Sequence, residues 1–141
     1  MSATMAVQAT RTTDRGRAFW IGWTLSGLVI AFMVMDATMK LMALPVVLET
    51  SAPLGFAGAE MARGLGITLI VCTILYALPR TAVLGAILLT GYLGGAVATH
   101  VRVGSPLFTH ILFGVYLGVM LWSGLYLRDM RLRALLPLRS Q

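Results

Sequence analysis

Six side chains in this sequence have the chemistry to move protons or hold a polar ligand: Asp36 and Lys40, Glu60 and Arg63, His100 and His110. The first two pairs fall four and three residues apart. On a helix that spacing puts each acid and its base on one face. Carboxylate and imidazole groups give and take protons in acid–base chemistry, whereas ammonium and guanidinium groups orient an acceptor or offset its charge. These group types together suit a site that exchanges protons with a bound molecule.

The setting of these six is what makes them informative. The chain has 141 residues, of which 58% are hydrophobic and only 11% charged, and its mean hydropathy is +0.86. A soluble domain is about one quarter charged, so this chain cannot cover a water-facing surface. One cysteine, Cys72, excludes a disulfide scaffold, and the apolar content excludes disorder. The expected fold class is an all-α transmembrane four-helix bundle in a lipid bilayer.

Four apolar stretches, at about 18–42, 61–78, 81–101 and 107–127, each approach the roughly 20 helical residues that cross a bilayer. Only Pro79 and Arg80 separate the second from the third, which predicts an antiparallel hairpin. Residues 102–106 join the third and fourth. The longer connection, 43–60, holds Pro45, Pro53, Gly55 and Gly58, which argue against a continuous helix there. Residues 1–17 are expected to form a cytoplasmic tail, unstructured over 1–13, and 128–141 a basic cytoplasmic tail. The first apolar run exceeds the 7–15 residues of a signal-peptide core, so it is expected to be retained.

Charge orients the bundle. Arg11, Arg15, Arg17, Arg80, Arg128, Arg131, Arg133 and Arg139 lie on one side, against Arg102 alone in the loops of the other. By the positive-inside rule both termini are cytoplasmic, in a bacterial-type inner membrane. These arginines flank spans and have no base-reading motif around them, so they read as topological signals that touch anionic lipid, with no nucleic-acid partner.

Ionisable residues within spans are costly and mark function by default. At 1.5 Å per residue, Asp36 lies ~27 Å and Lys40 ~33 Å above position 18. His100 lies ~28 Å above the start of its span, and His110 and Arg63 lie ~25 and ~22 Å above the cytoplasmic ends of theirs. All six are therefore expected to form one layer in the outer third of the bundle, contributed by all four helices, and to share a polar pocket. The competing reading is two register-locking ion pairs with Lys40 reaching the headgroups. Gly22-x-x-x-Ser26, Gly91-x-x-x-Gly95 and Gly114-x-x-x-Gly118 are expected to let helices approach closely.

Cys72 has no resolving thiol, which excludes disulfide exchange. His100 and His110 are the only histidines, too few for the ligation usual in membrane cytochromes. Together with Glu60 and Asp36 they match Zn²⁺ or Fe²⁺ by ligand type, but no spacing enforces a site and no metal is expected. Met35 and Met39 are read as packing residues. No phosphate loop or nucleophile elbow is visible. A quinone headgroup suits this depth and takes up protons on reduction. Asp36, Glu60, His100 and His110 are the candidate proton donors and acceptors, and Lys40, Arg63, Tyr92 and Arg102 the candidate ligand contacts. Phe108 and Tyr116 are read first as interfacial anchors.

Several motifs occur in order along the chain: Asp36-Ala-Thr-Met-Lys40-Leu, the Pro-bearing loop, Glu60-Met-Ala-Arg63-Gly64-Leu65-Gly66, the run from Tyr76-Ala-Leu-Pro79-Arg80 to Gly91-Tyr92-Leu-Gly94-Gly95 and His100, and Trp122-Ser-Gly124 to Arg128-Asp129. This pattern resembles the DoxX-like family of small membrane proteins over roughly residues 22–138. The family takes its name from a membrane subunit of thiosulfate:quinone oxidoreductase, and many relatives carry an oxidoreductase label. Other relatives look like chaperones or assembly factors, and broadly similar folds house sterol isomerases and cargo receptors. The resemblance implies a site lined by the six ionisable residues. The function expected is binding, extending to redox conversion, of a small hydrophobic or quinone-like molecule. The alternatives are a non-enzymatic accessory subunit or assembly factor of a membrane complex, and an acid–base isomerase of a lipid.

Overall fold

The computed structural model describes residues 2–135, with side chains described from Gly16 onward. All its regular elements are helical: α1 (Ser2–Leu41), α2 (Pro45–Ser51), a 3₁₀ turn (Ala52–Leu54), α3 (Ala59–Ala77), α4 (Ala82–Arg102), a π turn (Leu107–Ile111), α5 (Leu112–Arg128) and α6 (Met130–Leu135). Four apolar segments are long enough to cross a membrane: Gly16–Leu41, α3, α4 and Leu107–Arg128. The chain is a multi-pass membrane protein.

The tail expected to be unstructured is helical. Residues 2–17 contain no proline, and their alanines and arginines are good helix formers. They also continue a helix already nucleated within the span, so only propagation is required. The α3–α4 hairpin is as expected, with four residues between the helices.

Each long helix packs beside its sequence neighbour among the spans, and α1 packs against α5, which closes the ring. The inward stripe of α1 is Gly22, Ser26, Val29, Met33 and Ala37, a three-and-four spacing that keeps one face on the partners. Leu69, Cys72 and Tyr76 of α3, Leu89 and Leu93 of α4, and Leu117, Leu121 and Leu125 of α5 complete the core. Ile67, Ile74, Ile87 and Val119 point outward, as lipid contact permits.

Lipid is as apolar as leucine, so close packing and hydrogen bonds must hold such helices together. Both are present at the arginine-bearing end. A Cβ on Gly124 would stand 2.7 Å from Ser26 Oγ, and one on Gly22 would stand 2.8 Å from the Arg128 backbone nitrogen. The buried Tyr76 hydroxyl donates to the Leu121 carbonyl at 2.8 Å. Its single proton is thereby used, so Ser26 Oγ donates to Tyr76 Oη at 3.0 Å. Arg128 Nη2 donates to the Tyr76 carbonyl at 2.8 Å, filling an otherwise free acceptor in the last turn of α3. One tyrosine thus ties α1, α3 and α5.

The glycines expected to pack α4 behave differently. Nothing lies within 4 Å of a Cβ built on Gly91, Gly94, Gly95 or Gly118. Of the two patterns on α4 and α5, Gly114 alone makes a close approach, 2.8 Å from Val97 Cγ2. The Gly22–Ser26 pattern packs as expected.

Gly124→Ala is expected to lower the thermal midpoint, since overpacking a fitted contact costs about 1–3 kcal/mol. Gly94→Ala, with open space around it, should leave the midpoint unchanged or raise it slightly. Thermal unfolding in detergent separates the two.

Candidate functional site

At the end away from the arginines, α1, α3 and α4 stand beside the connection 42–58. Pro45 begins α2, where its missing N–H is no loss. Gly55 (φ 89°) and Gly58 (φ 91°) turn the chain in the left-handed region, which glycine enters without strain. The connection therefore folds back over the bundle instead of running straight into α3. Arg102 Nη2 donates to the Leu54 carbonyl at 2.7 Å and so pins this cover to the end of α4.

Beneath the cover lies a cavity of about 310 Å³. Ser51, Leu54 and Phe56 contribute from the cover, Lys40 from α1 and Leu65 from α3. Gly91, Tyr92, Gly95, Ala96, Thr99 and His100 line it from α4. The open glycines of α4 thus border a cavity rather than a helix contact. Most of the wall is apolar, with an ammonium, a phenol, an imidazole and two hydroxyls set into it.

The Lys40 ammonium is hydrogen-bonded to Asp36 Oδ1, and the two side chains are 17% and 31% exposed. Asp36 itself is not part of the wall, so its role runs through Lys40: it offsets the charge and aims the ammonium. His100 Nδ1 is bonded to Ser105 Oγ at 2.9 Å, which leaves Nε2 as the nitrogen available to a ligand. The ring of His110 meets that of His100 edge-on, centroids 5.4 Å apart, while His110 itself is exposed and bonds Thr109 Oγ1 at 2.8 Å. His110 sits in the π turn that opens the fourth span, where the fifth residue per turn shifts it from a regular α register.

The single six-membered layer expected from depth counting does not form one pocket. Glu60 and Arg63 pair at 2.9 Å, but their side chains are 91% and 49% exposed for Glu60 and Arg63 respectively, and neither lines the cavity. Depth along a span fixes the level of a residue but not its azimuth, and the first turn of α3 presents this pair outward, where both charges keep their solvation. His110 reaches the cavity only by way of His100, and Arg102 holds the cover. Tyr92 faces the cavity, whereas Phe108 and Tyr116 are exposed in the manner of interfacial anchors. Among the described residues no three of His, Cys, Asp and Glu gather closely enough to hold one metal ion.

Sequence reasoning missed the cover residues, Ser51, Leu54 and Phe56. The signal was present in Pro45 and Gly55, which foretold a folded connection without saying which way it turns. The ordered sequence motifs converge here: Lys40, Tyr92 and His100 all belong to them.

The family model described as the DoxX-like family matches residues 24–124. The matched stretch includes every residue of the cavity wall together with Asp36, Arg102 and His110. No curated protein and no solved structure matches the chain.

Removing one member of a partly buried ion pair strands the other charge, whereas removing both does not. Asp36→Asn alone is therefore expected to lower the thermal midpoint more than Asp36→Asn combined with Lys40→Met. A larger loss in the double variant would show that the pair itself stabilises the helix.

Proposed function

The chain belongs to the DoxX-like family, and from that premise we propose that it binds a small, lipid-soluble molecule bearing carbonyl groups, of which a quinone headgroup is the type, in the cavity beneath the cover. The observation that carries this reading is the composition of the cavity wall: three polar groups of different chemistry, Lys40, Tyr92 and His100, spaced within a largely apolar enclosure of about 310 Å³. Ligand sites have that character, apolar with a few placed polar groups that fix orientation.

In this reading Lys40 donates to one ligand oxygen, with Asp36 neutralising the pair overall. Tyr92 offers a ring for the ligand to lie against and a hydroxyl at its edge. His100, held through Nδ1 by Ser105, presents Nε2 to a second oxygen and exchanges a proton there. The exposed His110, edge-on to it, connects that proton to solvent. Glu60 and Arg63 have no part in ligand contact. Reduction of a bound quinone would draw two protons along this route and two electrons from a partner, so turnover belongs to a complex.

A second reading, an accessory subunit of a membrane complex, is favoured by a groove of about 530 Å³ on the lipid-facing side between α4 and α5, floored by Gly94, Gly114 and Gly118. Small residues of this kind admit another transmembrane helix. The third reading, a lipid isomerase, draws on the same proton route without electrons.

The topology belongs to the proposal as well: the arginine-bearing end and both termini face the cytoplasm of a bacterial-type inner membrane, and the cavity with its cover lies toward the other side.

A soluble short-chain quinone is expected to raise the thermal midpoint of the purified protein, and His100→Ala or Lys40→Met to reduce that shift at least severalfold while Glu60→Gln leaves it intact. Absence of a shift with benzoquinone, naphthoquinone and menaquinone analogues rejects the quinone reading. In a Cys72→Ala background, a membrane-impermeant maleimide added to intact cells should label Gly104→Cys and spare Arg80→Cys; the reverse pattern inverts the topology.

A further inference from the structure

The opposite end of the bundle holds a second cavity, and its chemistry differs from the first. It encloses about 220 Å³ between the α3–α4 turn and the α5–α6 junction, and its wall includes Trp23, Arg80, Arg128, Asp129 and Arg131. Three guanidinium groups therefore face one carboxylate. Asp129 Oδ1 already accepts from the Arg131 backbone N–H at 2.8 Å. The ion pairs among the described residues are Asp36–Lys40 and Glu60–Arg63, so none of the three arginines has a carboxylate partner there.

Arg128 forms the back of this cavity. Its guanidinium lies 4.7 Å from the Trp23 ring centroid and 4.8 Å from that of Tyr76. One nitrogen serves the Tyr76 carbonyl, and Nε is buried without a hydrogen-bond partner. A guanidinium held between two rings with its charge unpaired favours an anion close by. Arg80 and Arg131, both exposed at the mouth, supply the planar forked donors that match phosphate oxygens.

The level of the cavity identifies the source of the anion. Trp20 and Phe19 are exposed one turn before Trp23 on α1, and exposed aromatic rings mark the headgroup level of a bilayer. From Trp23 to Leu41 the helix rises about 27 Å, close to the roughly 30 Å of a hydrocarbon core. The cavity thus stands where lipid phosphates lie, with Trp23 and Leu125 as apolar wall for the first carbons of the acyl chains.

We propose that this cavity is a binding site for the phosphate of an anionic glycerophospholipid, gripped by Arg80 and Arg131 with Arg128 behind them. The site is independent of the ligand cavity under the cover and does not rest on the quinone reading.

Native mass spectrometry of the purified full chain, released from micelles containing equal amounts of phosphatidylglycerol and phosphatidylcholine, tests it. The protein is expected to retain phosphatidylglycerol about tenfold over phosphatidylcholine. Arg80→Gln with Arg131→Gln should bring the ratio to near parity, and either single change to an intermediate value. Both side chains are exposed, and an unchanged thermal midpoint will show that the double variant is folded. Arg17→Gln, at the same end but outside the cavity wall, should leave the preference within twofold. Equal retention of the two lipids by the wild type, or an equal loss from Arg17→Gln and the double variant, overturns the site in favour of diffuse surface attraction. Displacement of the retained phosphatidylglycerol by millimolar inorganic phosphate overturns the lipid assignment in favour of a soluble anion.

Discussion

The fold depends on one hydrogen-bonded side chain, Tyr76. Its hydroxyl sits between the Ser26 hydroxyl of α1 and the Leu121 carbonyl of α5, and its own carbonyl receives Arg128. In an apolar solvent no water would replace any of these partners, so each polar group must find its match within the protein. The phenol is long enough to reach across the bundle and has one proton to give, so its bonds fix which turns of α1 and α5 stand opposite each other. The close contacts of Gly22 and Gly124 follow from that register, because only helices aligned in this way bring glycine to glycine.

Closure at one end leaves room at the other. Near the arginines the helices approach until a single added carbon would collide. Toward the cover, Gly91 and Gly95 of α4 have no neighbour within 4 Å of a Cβ position, and the space they leave is part of the cavity. The same residue type therefore makes contact in one half of the bundle and vacancy in the other. Asp36 and Lys40 supply this second half with a neutral charge pair, and the connection 42–58 roofs it through the Arg102 bond to Leu54. Polar groups in such a place are stabilised by one another.

Membership of the DoxX-like family, over residues 24–124, ties this arrangement to a class of small membrane proteins without assigning its chemistry. Fold and family constrain what can be built, and the activity resides in the particular side chains of the site. The site proposed here has a lysine, a tyrosine and a histidine around an apolar space, with a second, arginine-rich cavity at the far end. The two cavities lie at opposite ends of the bundle and differ in the charge of their walls.

Composition and periodicity alone determined the membrane class, the four spans and the tight α3–α4 hairpin. Each of these depends on local hydropathy, on proline and glycine punctuation, or on a count of residues along a helix, all of which are one-dimensional. Tertiary structure decided what turns on rotation about a helix axis and on the path of a loop. Glu60 and Arg63 face outward and line no part of the cavity, Gly91 and Gly95 border that cavity instead of a helix, and Ser51, Leu54 and Phe56 cover it although their distance in sequence gives no sign of it. The helical start of α1 has a further physical reason: a polar tail reads as coil in isolation, but it needs no nucleus when it prolongs a span already formed. Azimuth and loop direction are set by which partner is met, and partners are met only in three dimensions.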